Sequence, residues 1–222
     1  MPFNFPEIEI RVLGCLIEKS VTTPDYYPLT LNALTLACNQ KSNRAPKMKL
    51  DEKSVVQALN QLRFEHHLVW HITVPGNRVA KYKHDLAERW QLTAPQLAVM
   101  CELMLRGPQT IGELRTRTER LHPFSTLEEV EATLQDLINQ TDGALAVKLP
   151  REPGRKEPRY AHLLAGDVVP GITSTEPPPE PARLLVQAEQ ERFARIEQEV
   201  AALKAEIEAV KTQFAEFKKQ LE

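Results

Sequence analysis

The chain has 222 residues, 42% of them hydrophobic, with 28 Lys and Arg against 30 Asp and Glu. That composition can bury a core, and the length suits about one or two domains plus a tail. No run of about 18 apolar residues occurs and MPFNFPEIEI lacks the basic and apolar regions of a secretory leader, so membrane insertion and export are not expected and the cytoplasm is the expected compartment.

The charge is unevenly spread. Residues 1–90 carry 12 Lys and Arg against 9 acids, residues 91–170 carry 9 against 11, and residues 171–222 carry 7 against 10. An electrostatic footprint for phosphate therefore belongs in the first third and in local clusters elsewhere. Cys15, Cys38 and Cys101 lie far apart among apolar neighbours, the pattern of reduced buried thiols rather than a disulfide or zinc framework.

In chain order, Pro6 suits a first helical position, and Ile10, Leu13 and Ile17 give a helix to Ser20 with one buried face. TTPDYYP is a loop, because its two prolines cannot continue a helix. Leu31, Leu34 and Ala37 or Cys38 mark a short second helix ending near Asn39. A polar loop from Asn39 to Lys49 follows, with Lys41, Arg44, Lys47 and Lys49 and no acid. Asp51 is a good N-cap for a third helix with the apolar stripe Val55, Leu59 and Leu62. Val69, Ile72 and Val74, the turn PGNR at 75–78, and Val79 and Tyr82 predict a two-stranded wing.

A second unit opens at Thr93, where TAPQ is a capping box for the apolar run LAVMCELML, stopped by Gly107 and Pro108. TIGE at Thr110 and STLE at Ser125 are further boxes, the latter opening a helix with Val130, Leu134 and Leu137. ALAVKLP, the turn REPGRKEP and RYAHLL then predict a second hairpin. Val55, Leu59 and Leu62 fall 75 residues before Val130, Leu134 and Leu137, which reads as an internal duplication.

Residues 167–182 are Pro-rich and predict a linker. From Phe193 to Leu221, apolar residues alternate spacings of three and four, the heptad pattern of a coiled coil. With Phe193 at position a, Glu199 and Glu206 at g face Lys204 and Lys211 at e in a parallel pair, so a parallel homodimer is expected. The expected architecture is mainly α with small β wings (α+β): tandem winged-helix domains at 1–90 and 91–166, then the linker and a coiled-coil helix at 183–222.

Catalytic patterns are missing: there is no Gly-rich phosphate loop, G-x-S-x-G, H-E-x-x-H or C-x-x-C. His66, His67 and His71 cluster near the first wing with no set of carboxylate or thiol partners at ligand spacing, so no metal site is expected. Neither an enzyme nor a cofactor is expected.

The nucleic-acid pattern is stronger. Gln40, Lys41, Ser42, Asn43, Arg44, Lys47 and Lys49 place cations and amides beside a helix, as phosphate and base-edge contacts require. Lys53, Gln57 and Asn60 lie opposite the apolar stripe of the third helix, where a recognition helix meets the major groove. Arg151, Arg155, Lys156 and Arg159 in the second hairpin suit a phosphate strand or the minor groove. The second candidate recognition helix instead exposes Glu128, Glu129, Glu131, Gln135 and Asp136, which phosphate repels.

ACNQKSNRAPKM at 37–48 and LPREPGRKEPRYAHLL at 149–164 resemble the YceH-like family of uncharacterised bacterial proteins, over roughly Phe5 to Gly166. The resemblance implies tandem winged-helix domains and supplies no site assignment. In that family an acidic residue usually stands at the position of Ala45 and an apolar one at that of Lys47, so this loop is the more positive.

The expected function is duplex DNA binding through the first winged helix, as a transcriptional regulator. The alternative is a protein–protein interaction scaffold built from the same domains without direct DNA contact.

Overall fold

A computed structural model describes residues 4–73, 79–141, 143–151, 154–155 and 157–166. The turn at 75–78, Lys156, the linker and the heptad segment lie outside the described residues. Among the described residues no helix is long and apolar enough to cross a membrane.

Helix α1 (Glu7–Thr22) starts after Pro6, with Glu7 and Glu9 at its positive end and Lys19 at its negative end. The sequence predicts one buried face, yet every residue from Glu9 to Glu18 is buried. The reason is tertiary: α2 (Leu31–Cys38) and α3 (Glu52–Phe64) pack on α1, and so does α5 (Ala94–Arg106). At Gly14 α5 packs tightly against α1. A Cβ there would lie 2.9 Å from Leu105 Cδ2 and 3.3 Å from Met104 Cβ, so a hydrogen is what lets the two helices meet.

A two-residue strand, β1 (Leu29–Thr30), runs directly into α2, whose N-cap Thr30 accepts from the Ala33 amide at 3.3 Å. Asp51 caps α3 in the same way, accepting from the Ser54 amide at 2.9 Å. The hairpin of β2 (Val69–Ile72) and β3 (Lys81–His84) pairs Val69 with His84 and Ile72 with Lys81. β1 joins its far side with Leu29 against Tyr82, giving the order β1-β3-β2. The short helix α4 (Leu86–Arg89) leads on to α5.

The element order then repeats. The capping boxes at Thr93 and Thr110 both form, opening α5 and α6 (Ile111–Arg117). The third box is displaced by one residue. Thr126, not Ser125, accepts from the Glu129 amide and opens α7 (Leu127–Ile138), while the Glu129 carboxylate takes the Ser125 N–H at 2.8 Å. TLEE satisfies the box pattern as well as STLE does, and Val130 fixes the choice by needing to face the core. The hairpin of β4 (Ala146–Lys148) and β5 (Tyr160–His162) follows. Gln109, one residue before the Thr110 cap, exchanges both backbone hydrogen bonds with Tyr160 at 2.9 and 2.7 Å, in the place β1 holds earlier.

One apolar cluster runs through both halves, from Phe5 and Leu16 to Leu134 and Leu164. The three cysteines lie inside it as free thiols, and Cys101 donates to the Gly14 carbonyl at 3.5 Å.

Candidate nucleic-acid interface

The connection from α2 to α3, Asn39 to Asp51, is far longer than the three- or four-residue turn of a simple helix-turn-helix. It is nevertheless tied down. Asn39 clasps its two ends, donating to the Leu50 carbonyl and accepting from the Leu50 amide, both at 2.7 Å. In its middle, the Ala45 amide donates to the Leu105 carbonyl at the end of α5 (2.9 Å), and Arg11 of α1 donates to the Pro46 carbonyl (2.7 Å).

The strongest tie is Arg44, and here the structure corrects the sequence reading. Its side chain is fully enclosed and forks onto Glu18, with Nη2 2.5 Å from Oε2 and Nη1 3.2 Å from Oε1. Nε and Nη2 also donate to the Ala37 carbonyl at the end of α2. Arg44 therefore holds the loop from inside and does not face a phosphate. Burial pushes the Glu18 carboxyl up, but the hydrogen bonds and charge of Arg44, with Arg120 beside it, outweigh burial and hold it below the usual carboxylate range. Gln40 and Asn43, both half-buried, also spend their side-chain oxygens inward, on Arg44 and Arg106 respectively.

What remains on the outside is a coherent set. Lys41, Ser42, Lys47 and Lys49 of the loop are exposed, as are Lys53, Gln57 and Asn60. The last three recur at helical spacing on the face of α3 opposite buried Val55, Ala58, Leu59 and Leu62. The inner clamp fixes the course of the loop, so its lysines project from a rigid support.

The second hairpin differs. Arg159 donates to the Pro108 carbonyl at 2.7 Å and to Glu113 Oε2 at 3.1 Å, fastening the hairpin to the start of α6. It is half-buried, and these contacts use its Nη1. Arg151 and Arg155 are exposed; Lys156 lies outside the described residues. On α7, Glu128, Glu129, Glu131, Gln135 and Asp136 are all exposed, which makes this the acidic counterpart of the α3 face.

Sequence reasoning missed a charged cluster behind the loop. Glu18 and Glu102 are fully buried acids; Arg120 contacts both, with its Nη2 3.8 Å from Glu102, and Arg106 Nε lies 2.8 Å from Glu102 Oε2. Its only local sign is the Glu102–Arg106 spacing of four on one helix. The other partners come from distant segments. Among the described residues no three His, Cys, Asp or Glu gather to hold a metal ion.

Fold and surface together define a protein of two similar helix-and-hairpin halves, the first with a cationic loop and helix face. The chain belongs to the family described as "Protein of unknown function, DUF480", whose model matches residues 5–155. Among its relatives, a UPF0502 protein of Geotalea uraniireducens is 52% identical over 222 residues, covering 100% of both chains. One from Geobacter metallireducens is 56% identical over 192 residues, 86% of each chain. Another from Photobacterium profundum is 45% identical over 215 residues, 95% of this chain and 96% of that one. The expectation of an uncharacterised bacterial family is thus met.

Proposed function

We propose that the chain is a tandem winged-helix protein that binds duplex DNA through its first half and acts as a transcriptional regulator. The observation that carries this reading is the exposed set Lys41, Lys47, Lys49, Lys53, Gln57 and Asn60 on a clamped loop and the helix after it. Lysines neutralise phosphates, while Gln and Asn can read base edges in the major groove. With four lysines at phosphates, log affinity should fall against log salt with a slope of roughly −3 to −4 per protomer.

The test is an anisotropy titration of a short duplex between low and moderate salt. Replacing Lys41, Lys47 and Lys49 together with alanine is expected to flatten that slope by roughly 2 to 3 without changing the thermal midpoint. Equal affinity and slope in the two proteins would overturn the reading.

The heptads of 193–221 complete the proposal with a parallel homodimer, which would present the basic face twice to two-fold related half-sites. A chain ending near Gly171 is expected to scatter as a monomer, at roughly two-fifths of the mass of the full-length dimer; a shortened chain that still scatters as a dimer would remove the segment as the dimer device. The exposed acidic face of α7 favours a second reading for that half, contact with a protein partner. A stoichiometric partner that survives nuclease treatment, with no duplex binding, would favour the scaffold reading for the whole chain.

A further inference from the structure

Beneath the loop lies a pocket of about 370 Å³, lined by Asn43, Arg106, Thr116, Arg117, Glu119 and Arg120. That is within the size range of small-ligand sites, but its lining is cationic where such sites are mostly apolar. Its three arginines come from separate places: the last turn of α5, the last turn of α6 and the segment after it.

Each arginine is braced by an acid. Arg106 is held by Glu102, Arg117 by Glu113 at 3.4 Å, and Arg120 by Glu18 and Glu102. Hydrogen bonds to Asn43 and Gln109 fix Arg106 and Arg117 further. These contacts use Nε and Nη2 of Arg106, Nη1 and Nη2 of Arg117, and Nη2 of Arg120. A guanidinium carries five N–H donors, so each keeps donors for a ligand while its position is already set.

The charges do not cancel. Among the described residues, the ion pairs of Lys19, Arg44, Arg106, Arg117, Arg120 and Arg159 run to Glu18, Glu102 and Glu113, with Glu119 at the rim. Burial pushes the Glu102 carboxyl above its ordinary range, against the pull of Arg106 and Arg120.

We propose that this pocket binds a phosphate-type oxyanion, held by Arg106, Arg117 and Arg120. Braced guanidiniums offer paired N–H donors to the oxygens of such a group, which a neutral or cationic ligand cannot use. The same chemistry is presented by a free phosphorylated small molecule and by a nucleic-acid backbone. The inference does not rest on the exposed lysines, and its test leaves them in place.

The full-length protein is titrated by calorimetry with inorganic phosphate and with pyrophosphate, chloride being adjusted to constant ionic strength, and by anisotropy with a short duplex. Saturable binding is expected. Arg117→Gln, at a half-exposed position, should weaken it roughly ten- to a hundredfold. Glu119→Gln, which removes the exposed acid at the rim, should tighten it roughly two- to fivefold, a gain that no loss of folding produces. If only the duplex shows these opposite responses, the pocket takes backbone phosphate; if the free anions show them, it takes a small ligand. No saturable binding by any of the three probes, or binding indifferent to both substitutions, would overturn the proposal.

Discussion

Arg44→Ala is expected to cost about 3–5 kcal/mol of folding stability, the range for removing one partner of a buried ion pair. Both side chains of the Arg44–Glu18 pair are fully buried, so alanine would leave a carboxylate whose surroundings cannot solvate it. Lys19, 3.7 Å from Glu18, and Arg120 soften the loss, which favours the lower end of the range. The Ala37 carbonyl and the loop backbone lose their donors as well. Arg44→Lys should rescue little, because an ammonium cannot fork onto both carboxylate oxygens and reach Ala37. In urea titrations at pH 7, Arg44→Ala together with Glu18→Gln should cost less than the sum of the two single changes. The pH dependence has a definite sign. The Glu18 carboxyl titrates lower in the folded chain than in the unfolded one, so its contribution is present above the unfolded value of about 4.3 and is lost as pH falls through the folded one. If Arg44→Ala left stability within about 0.5 kcal/mol of the parent, as a surface change would, Arg44 would return to the candidate phosphate contacts.

The same residue shows what the sequence displays and what it withholds. Local chemistry was legible: Asp51, Thr93 and Thr110 open helices through the capping contacts expected of them, because a cap involves residues only three positions apart. The helical stripes were legible for the same reason. Arg44 was read outward because the loop that holds it, Asn39 to Leu50, has no acid, whereas its partner Glu18 is 26 positions away. The inward contact of Arg159 was hidden for the same reason, since Glu113 lies 46 positions off. Isolated cations in a polar loop look alike in sequence, and only tertiary contacts divide them into Lys41, Lys47 and Lys49 outside and Arg44 inside. β1 was overlooked because two residues carry no period; they are a strand only because Tyr82 and Lys81 stand opposite. The all-round burial of α1 was hidden likewise, since Glu9, Arg11 and Glu18 interrupt its apolar pattern while being buried like their apolar neighbours. The pocket arginines combine three segments, none of which is distinctive alone.

Between pH 6.5 and 4 a separate loss of stability is expected, carried by two histidines. Burial lowers the imidazoles of His84 and His162 to about 4 each; for His84 the Asp85 charge opposes this and Lys83 adds to it. The unfolded chain, with histidines near 6.5, therefore binds more protons than the folded one across this interval. Stability is full above the unfolded value, declines as pH falls and levels off below the folded value. Each histidine contributes up to about 3 kcal/mol for a shift of this size, less whatever partial solvent contact returns. The local geometry agrees with the neutral form. His162 Nδ1 accepts from the Leu164 amide at 3.3 Å, so a proton there would turn an acceptor against a donor. His84 Nε2 lies 3.1 Å from the Ser20 hydroxyl, its buried Nδ1 has no hydrogen-bond partner among the described residues, and its backbone N–H donates to the Tyr27 hydroxyl at 2.7 Å. Glu9 and Glu102 work in the opposite direction. Their carboxyls are raised mainly by burial, so protonating them on the way down restores stability and masks part of the histidine loss. The measurement is therefore a difference: urea midpoints of the parent and of His84→Gln with His162→Asn, from pH 7.5 to 4. Gln places a polar atom near Nε2 and Asn places an oxygen near Nδ1, so both substitutions keep the neutral contacts and remove the titration. The parent should lose several kcal/mol more than the variant over that interval, on the order of 2–3 for each histidine. Parallel curves for the two proteins would show that neither imidazole resists protonation in the folded chain.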